Sequence, residues 1–205
     1  MKIVISESQY KRLIESEKEQ KVLQIPSLKF FGDNWYILQE YLKEVGDPPY
    51  SISGDLDLRR TPIKSLENLQ SVGGYLDLRD TPIESLGNLQ SVGGNLDLRR
   101  TPIKSLENLQ SVGGDLYLRG TPIESLGNLQ SVGGNLDLYR TPIKSLGNLQ
   151  SVGGYLDLYR TPIKSLGNLQ SVGGEYLDLE GTGWGKMYNE KQIRKILNVE
   201  GDIYL

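Results

Sequence analysis

Neither cysteine nor histidine occurs anywhere in the 205 residues. Those two absences remove disulfides, thiolate nucleophiles, imidazole acid–base chemistry and nearly every zinc, copper or haem site. Carboxylates, hydroxyls, Lys, Arg and Tyr remain as chemical groups, and no arrangement of them calls for a cofactor or a metal. Long apolar runs are missing too, since no stretch approaches the ~20 residues that a membrane span needs. The opening segment, residues 1–21, has one Lys before a short apolar run and no small-residue cleavage site, so it does not read as a secretory signal. A cytoplasmic location is expected, or a virion-associated one if release follows cell lysis. The formal net charge of −3, with 24% charged residues, suits a soluble chain.

What the chain has is repetition. "TPIKSLENLQSVGG" at residues 61–74 is written again, with at most two exchanges, at 81, 101, 121, 141 and 161. The period is 20 from Leu56 to Leu156, and most of the 24 glycines fall in the repeated "SVGG" and "GN" positions. They therefore report repeat geometry rather than disorder. In the copy that starts at Leu76, the apolar residues are Leu76, Leu78, Ile83, Leu86, Leu89 and Val92. Leu76 and Leu78 alternate with Tyr75, Asp77 and Arg79, the period-2 pattern of a short strand with one buried face. Pro82 cannot donate a ladder bond, and Gly73–Gly74 permit a tight corner. One coil cannot hide its own leucines. Stacked at the ~4.8 Å strand spacing, each coil buries the apolar edge of the next.

"LDLRDTPI" at 76–83 resembles the L-x-L-x-x-N-x-L segment of the leucine-rich repeat family, with Thr81 in the Asn place. The resemblance covers residues 52–182 and implies an α/β solenoid: a parallel β-sheet on one face, a turn-rich convex side and helical caps at both ends. It also implies a polar ladder, here built from Thr61, Thr81, Thr101, Thr121, Thr141 and Thr161, with Asn68, Asn88, Asn108, Asn128, Asn148 and Asn168 as a possible second. The pattern departs from the family where Gly73 stands in place of the leading Leu, and a short parallel β-helix is the neighbouring alternative.

Four segments follow from this reading: 1–21, a short helix and charged run; 22–50, an N-terminal helical cap; 51–182, the repeat array; and 183–205, a C-terminal cap helix and final strand. In the first, Ser6 with Gln9 reads as a capping box, and the opening resembles those of phage-encoded proteins. In the second, Asp33 reads as the N-cap of a helix burying Leu38, Tyr41, Leu42 and Val45. In the last, Asn189 and Gln192 read as a capping box for a helix burying Ile193, Ile196 and Leu197. "GTGWGK" at 181–186 is a poor phosphate loop, with Met187 where Ser or Thr is required, and reads better as the turn into this cap with Trp184 as a plug.

The residues that change between copies lie on the open sheet face, in three columns. Tyr75, Tyr155 and Tyr176 stand in the first column; Asp77, Asp97, Tyr117, Asp137 and Asp157 in the second; Arg79, Arg99, Arg119, Tyr139 and Tyr159 in the third. Large amphipathic rings and directional polar groups on a rigid sheet are the chemistry of a binding face. These thirteen residues are the candidate partner-binding set. Like charges ~5 Å apart repel, so Arg in the third column is expected to offset the Asp column, and one Asp per coil is too few oxygens for calcium. Alternation of Lys64, Glu84, Lys104 and Glu124 is expected to pair neighbouring coils.

The reading that results is a non-enzymatic scaffold binding a protein or a glycan through this face. A structural, self-assembling protein is the alternative, with "DIYL" at 202–205 as an edge strand through which a homodimer forms. Near-identical coils also suit a consensus-type engineered repeat or a recent tandem duplication. Balanced charge and an acidic column speak against nucleic acid, and no feature points to a membrane.

Overall fold

A computed structural model describes residues 22–205. The helix expected in the first 21 residues lies outside the described residues. Every 20-residue coil makes the same circuit. Leu76–Asp77 pairs in parallel with Leu56–Asp57 before it and Leu96–Asp97 after it. Fifteen residues on, Ser91–Val92 pairs with Ser71–Val72 and Ser111–Val112. The protein is thus a parallel β-solenoid with two sheets. One has eight strands, from Leu56–Asp57 to Asp202–Tyr204; the other has nine, from Leu23–Ile25 to Asn198–Val199. Isolated bridges such as Ser65↔Ser85 mark a third line of contact between coils.

The second sheet corrects the expectation of one sheet opposed by a side of turns alone. Its cause is the backbone of "QSVGG", whose polar groups must be paired. In a stack of equal coils the nearest partner is the same residue one coil away. Accordingly the Gly93 N–H donates to Val72 O at 2.8 Å and the Gln90 N–H to Gln70 O at 2.8 Å. This close stacking also explains the repeated glycine, because a Cβ on Gly93 would lie 2.2 Å from Gly73 O.

The six apolar residues of each coil turn inward as the alternation predicts. Leu76, Leu78, Ile83, Leu86, Leu89 and Val92 are all at most 1% exposed. Side chains that are polar make the corners. Asp77 Oδ1 accepts the Arg79 N–H at 3.1 Å, closing the strand into a turn in which Asp80 takes a left-handed φ of 58°. Thr81 Oγ1 then donates back to Leu78 O at 2.7 Å. At the next corner Ser85 Oγ accepts the Gly87 N–H at 3.0 Å, and Gly87 is left-handed too, at φ 60°. The threonines therefore work inside their own coil and do not form a ladder from coil to coil. Asparagine does cross between coils: Asn88 Nδ2 donates to Asn68 Oδ1 at 3.0 Å.

Helices stand at both ends of the stack. Helix α1, Trp35–Glu44, follows a 3-10 turn at Leu28–Phe31, and both lie between the first two strands of the nine-stranded sheet. Its N-cap is Asn34, one residue later than expected, because Asp33 is left-handed at φ 55° while Asn34 is extended and its Oδ1 accepts the Tyr36 and Ile37 N–H groups. The buried face is Trp35, Leu38 and Leu42; Tyr41 and Val45, expected inside, are exposed. The stripe centred on Leu38 and Leu42 takes in Trp35, while Tyr41 sits at its edge and Val45 lies beyond the last helical residue. At the other end α2, Gly183–Met187, and α3, Glu190–Ile196, separate the strand Tyr176–Asp178 from Asn198–Val199. "GTGWGK" is the start of α2, with Trp184 packed against the core and 4.7 Å from the Tyr188 ring. The Asn189–Gln192 capping box forms in both directions. Ile193 and Leu197 are buried, whereas Ile196 is 58% exposed. Among the described residues no helix is long and apolar enough to cross a membrane.

Candidate functional site: a sheet face in two halves

The outer face of the eight-stranded sheet carries all three variable columns, because residues 55, 57 and 59 of a coil alternate with the buried Leu56 and Leu58. Its middle column is less open than a solvent-facing strand would be. Asp77, Asp97 and Asp137 are each only 8% exposed, since each carboxylate folds back onto the backbone N–H two residues on. The aspartate thus has a structural duty first, and sequence reasoning missed it. The signal was present as Asp three residues before the left-handed corner and four before Thr in copy after copy.

In the first three coils each aspartate has a cation as well. Arg59 Nη2 meets Asp57 Oδ2 at 2.6 Å, while its Nε lies 3.5 Å from Asp77 Oδ2 in the next coil. Arg79 repeats the step, holding Asp77 and reaching Asp97 Oδ2 at 3.2 Å. Arg99 holds Asp97 and ends the series. These hydrogen bonds from Arg59 hold the Asp57 carboxyl below the ordinary carboxylate range. The expected charge offset is therefore a zipper running from Asp57 to Arg99. By contrast, among the described residues no ion pair joins Lys64, Glu84, Lys104 and Glu124.

Tyr117 interrupts the series. It stands where an Asp stands in the coils before and after it, with the Arg99 guanidinium 4.9 Å from its ring centroid. Its hydroxyl donates to Asp115 Oδ2 at 2.7 Å, a bond that, with some burial, pushes the phenol up to about 12.

Beyond it the third column changes from Arg to Tyr and the chemistry changes with it. Tyr139 and Tyr159 stack at 5.1 Å with ring planes 5° apart. On the other flank Tyr155 and Tyr176 stack at 4.7 Å and 8°, and Tyr204 meets Tyr176 edge-on at 5.7 Å. Asp137, Asp157 and Asp178 run between these two walls in parallel register. Each still accepts its own i+2 backbone N–H. Among the described residues, however, none of the three has an ion pair. Burial is the leading cause that raises all three carboxyls above their ordinary range, against the lowering effect of that backbone bond. Burial likewise raises Tyr155, and lifts Tyr176 to about 12.

Of the thirteen sequence-selected residues, then, the fold gathers Asp77, Arg79, Asp97 and Arg99 into the zipper and Asp137, Tyr139, Tyr155, Asp157, Tyr159 and Tyr176 into the walled strip. Arg119 joins the strip at its near end, its guanidinium 3.9 Å from the Tyr139 centroid. Tyr75 stays apart, 41% exposed in the second coil, with its N–H donated to Asp55 Oδ1. Arg140 and Arg160, not selected from the sequence, lie 5.0 Å from the Tyr139 and Tyr159 rings. No protein-family model, no curated protein and no solved structure matches the chain.

Proposed function

We propose that the protein is a non-enzymatic repeat scaffold that binds a protein or glycan partner through the outer face of its eight-stranded sheet. The observation that carries this reading is the pair of tyrosine stacks, Tyr139–Tyr159 and Tyr155–Tyr176, flanking three aspartates that lack a cation. Stacked rings held on adjacent rungs have lost their side-chain freedom before any partner arrives, which lowers the entropic cost of binding. The half-buried carboxylates beside them give directional acceptors. We further read the coil as a short leucine-rich repeat, on the strength of the L-x-L strand and Thr corner, and α1 and α3 as caps that shield the terminal coils from water.

Changing Tyr139, Tyr155, Tyr159 and Tyr176 to Ser tests the assignment. The core beneath is untouched, so the circular dichroism spectrum is expected to hold while retention of any captured partner falls by about tenfold or more. A partner retained equally by this variant overturns the reading.

A further inference from the structure

Resting on that reading of the face, we propose that the strip between the tyrosine walls receives the arginine side chains of a basic segment of a partner protein. The molecule itself shows what the strip lacks. On the same column, three coils before Tyr139 and four before Tyr159, Arg79 both holds the carboxylate of its own coil and reaches that of the next. At the corresponding places Tyr139, Tyr159 and Glu180 stand beside Asp137, Asp157 and Asp178, although their strands are in the same parallel register. Arg119, in the place that would reach Asp137, turns to the Tyr139 ring, and among the described residues it makes no ion pair with these acids.

Asp137 makes the point most sharply. It is 8% exposed, and its Oδ1 is taken by the Tyr139 N–H at 3.0 Å. Its Oδ2 has no hydrogen-bond donor among the described residues, yet it is not sealed in the interior, where Trp184 Nε1 is the one side-chain polar atom left without a partner. Oδ2 therefore opens onto the strip. Three such acids at the ~4.8 Å strand spacing repel one another, and that repulsion is relieved by cations bridging successive rungs.

The walls select which cation. Arg119 already holds its guanidinium 3.9 Å from the Tyr139 centroid, so these rings accept a guanidinium. A planar, weakly hydrated guanidinium stacks and forks at once, whereas an ammonium offers only a point charge. A neutral glycan would use the rings but leave the acids uncompensated. Arg140 and Arg160 turn to the rings of Tyr139 and Tyr159 and make no ion pair with the three acids.

The test is fluorescence anisotropy of the full chain with a labelled oligo-arginine peptide, beside oligo-lysine, spermidine and a panel of neutral glycans. Oligo-arginine is expected to bind more tightly than oligo-lysine at equal charge. Asp137→Asn with Asp157→Asn keeps the acceptor for the backbone turn and is expected to weaken binding about tenfold. Glu84→Gln with Glu124→Gln removes the same charge elsewhere and is expected to change it by less than about twofold. Equal losses in the two variants, or no preference for arginine over lysine, overturn the arginine assignment. If a glycan binds instead and is lost in the four-tyrosine variant, the arginine inference fails while the scaffold reading stands. If no captured partner depends on those tyrosines, both fail.

Discussion

Asp77 and Asp157 occupy equivalent rungs of one sheet, and each accepts the backbone N–H two residues ahead. Yet Asp77 is gripped by Arg79, while Asp157 lies between tyrosine stacks with no ion pair among the described residues. The repeat decides where the carboxylate sits; the residue two places on decides its electrostatic state. A periodic scaffold can in this way hold its geometry constant and vary its chemistry along the axis. The first coils spend their charges on one another. The later ones leave theirs available.

If the halves differ only on the surface, their cores should respond alike. Leu98 and Leu138 are both fully buried, one under the zipper and one under the walled strip. Changing either to Ala is expected to cost about 2–5 kcal/mol, by lost transfer energy and the cavity left behind. Equilibrium urea unfolding of the two variants checks this. A consistently larger loss in one of them would show that the difference between the halves extends below the face.

The next effect is smaller and separates the halves. Replacing Arg99 with Met removes the ion pair to Asp97 and the contact with the Tyr117 ring. Because Arg99 is partly exposed, solvent screening discounts the pair to about 1 kcal/mol or less, or a fall of about 2–4 °C in Tm at most. Tyr139→Met breaks no charge pair and is expected to shift Tm by less. The reverse order, seen in thermal melts, would mean that ring stacking rather than charge holds the face.

Much of this was legible in the sequence. A 20-residue period with six apolar positions names the whole inward set, since every coil meets the same packing problem, and the prediction holds down to Val92. The columns were legible too, because a strand alternates strictly. The second sheet was not, for "QSVGG" carries no alternation; its pairing comes from stacking, a property of the assembled array. Nor was the aspartate turn, which depends on a left-handed residue at 60, 80, 100, 140 and 160 that is Arg or Asp in those coils, so no glycine marks it there. At the ends the N-cap of α1 falls one residue later than expected, and its buried stripe is narrower than the apolar pattern: Leu38 and Leu42 are covered, while Tyr41 at the edge and Val45 beyond the helix are not.

The smallest expected effect is also the one that follows most directly from the contrast between halves. Burial raises Asp137, Asp157 and Asp178 above the unfolded carboxyl value, about 3.9. The folded chain then binds protons there more readily than the unfolded one, so the stability these groups add is complete below that value and is lost as pH rises through their folded pKa. Asp57, lowered by the hydrogen bonds from Arg59, behaves oppositely: its contribution is present above about 3.9 and is lost as pH falls through its folded pKa. Acidifying from neutrality towards about 4 should therefore firm the later coils while leaving the Asp57 pair intact. Amide hydrogen-exchange protection reads the two ends separately, through the Leu158 N–H bonded to Asp178 O and the Leu58 N–H bonded to Asp77 O. Protection at Leu158 is expected to rise relative to Leu58 over that window, and the rise to shrink when Asp157 and Asp178 become Asn. Parallel changes at the two positions would show that both halves carry their acids in the same state, and the contrast would collapse to one of composition alone.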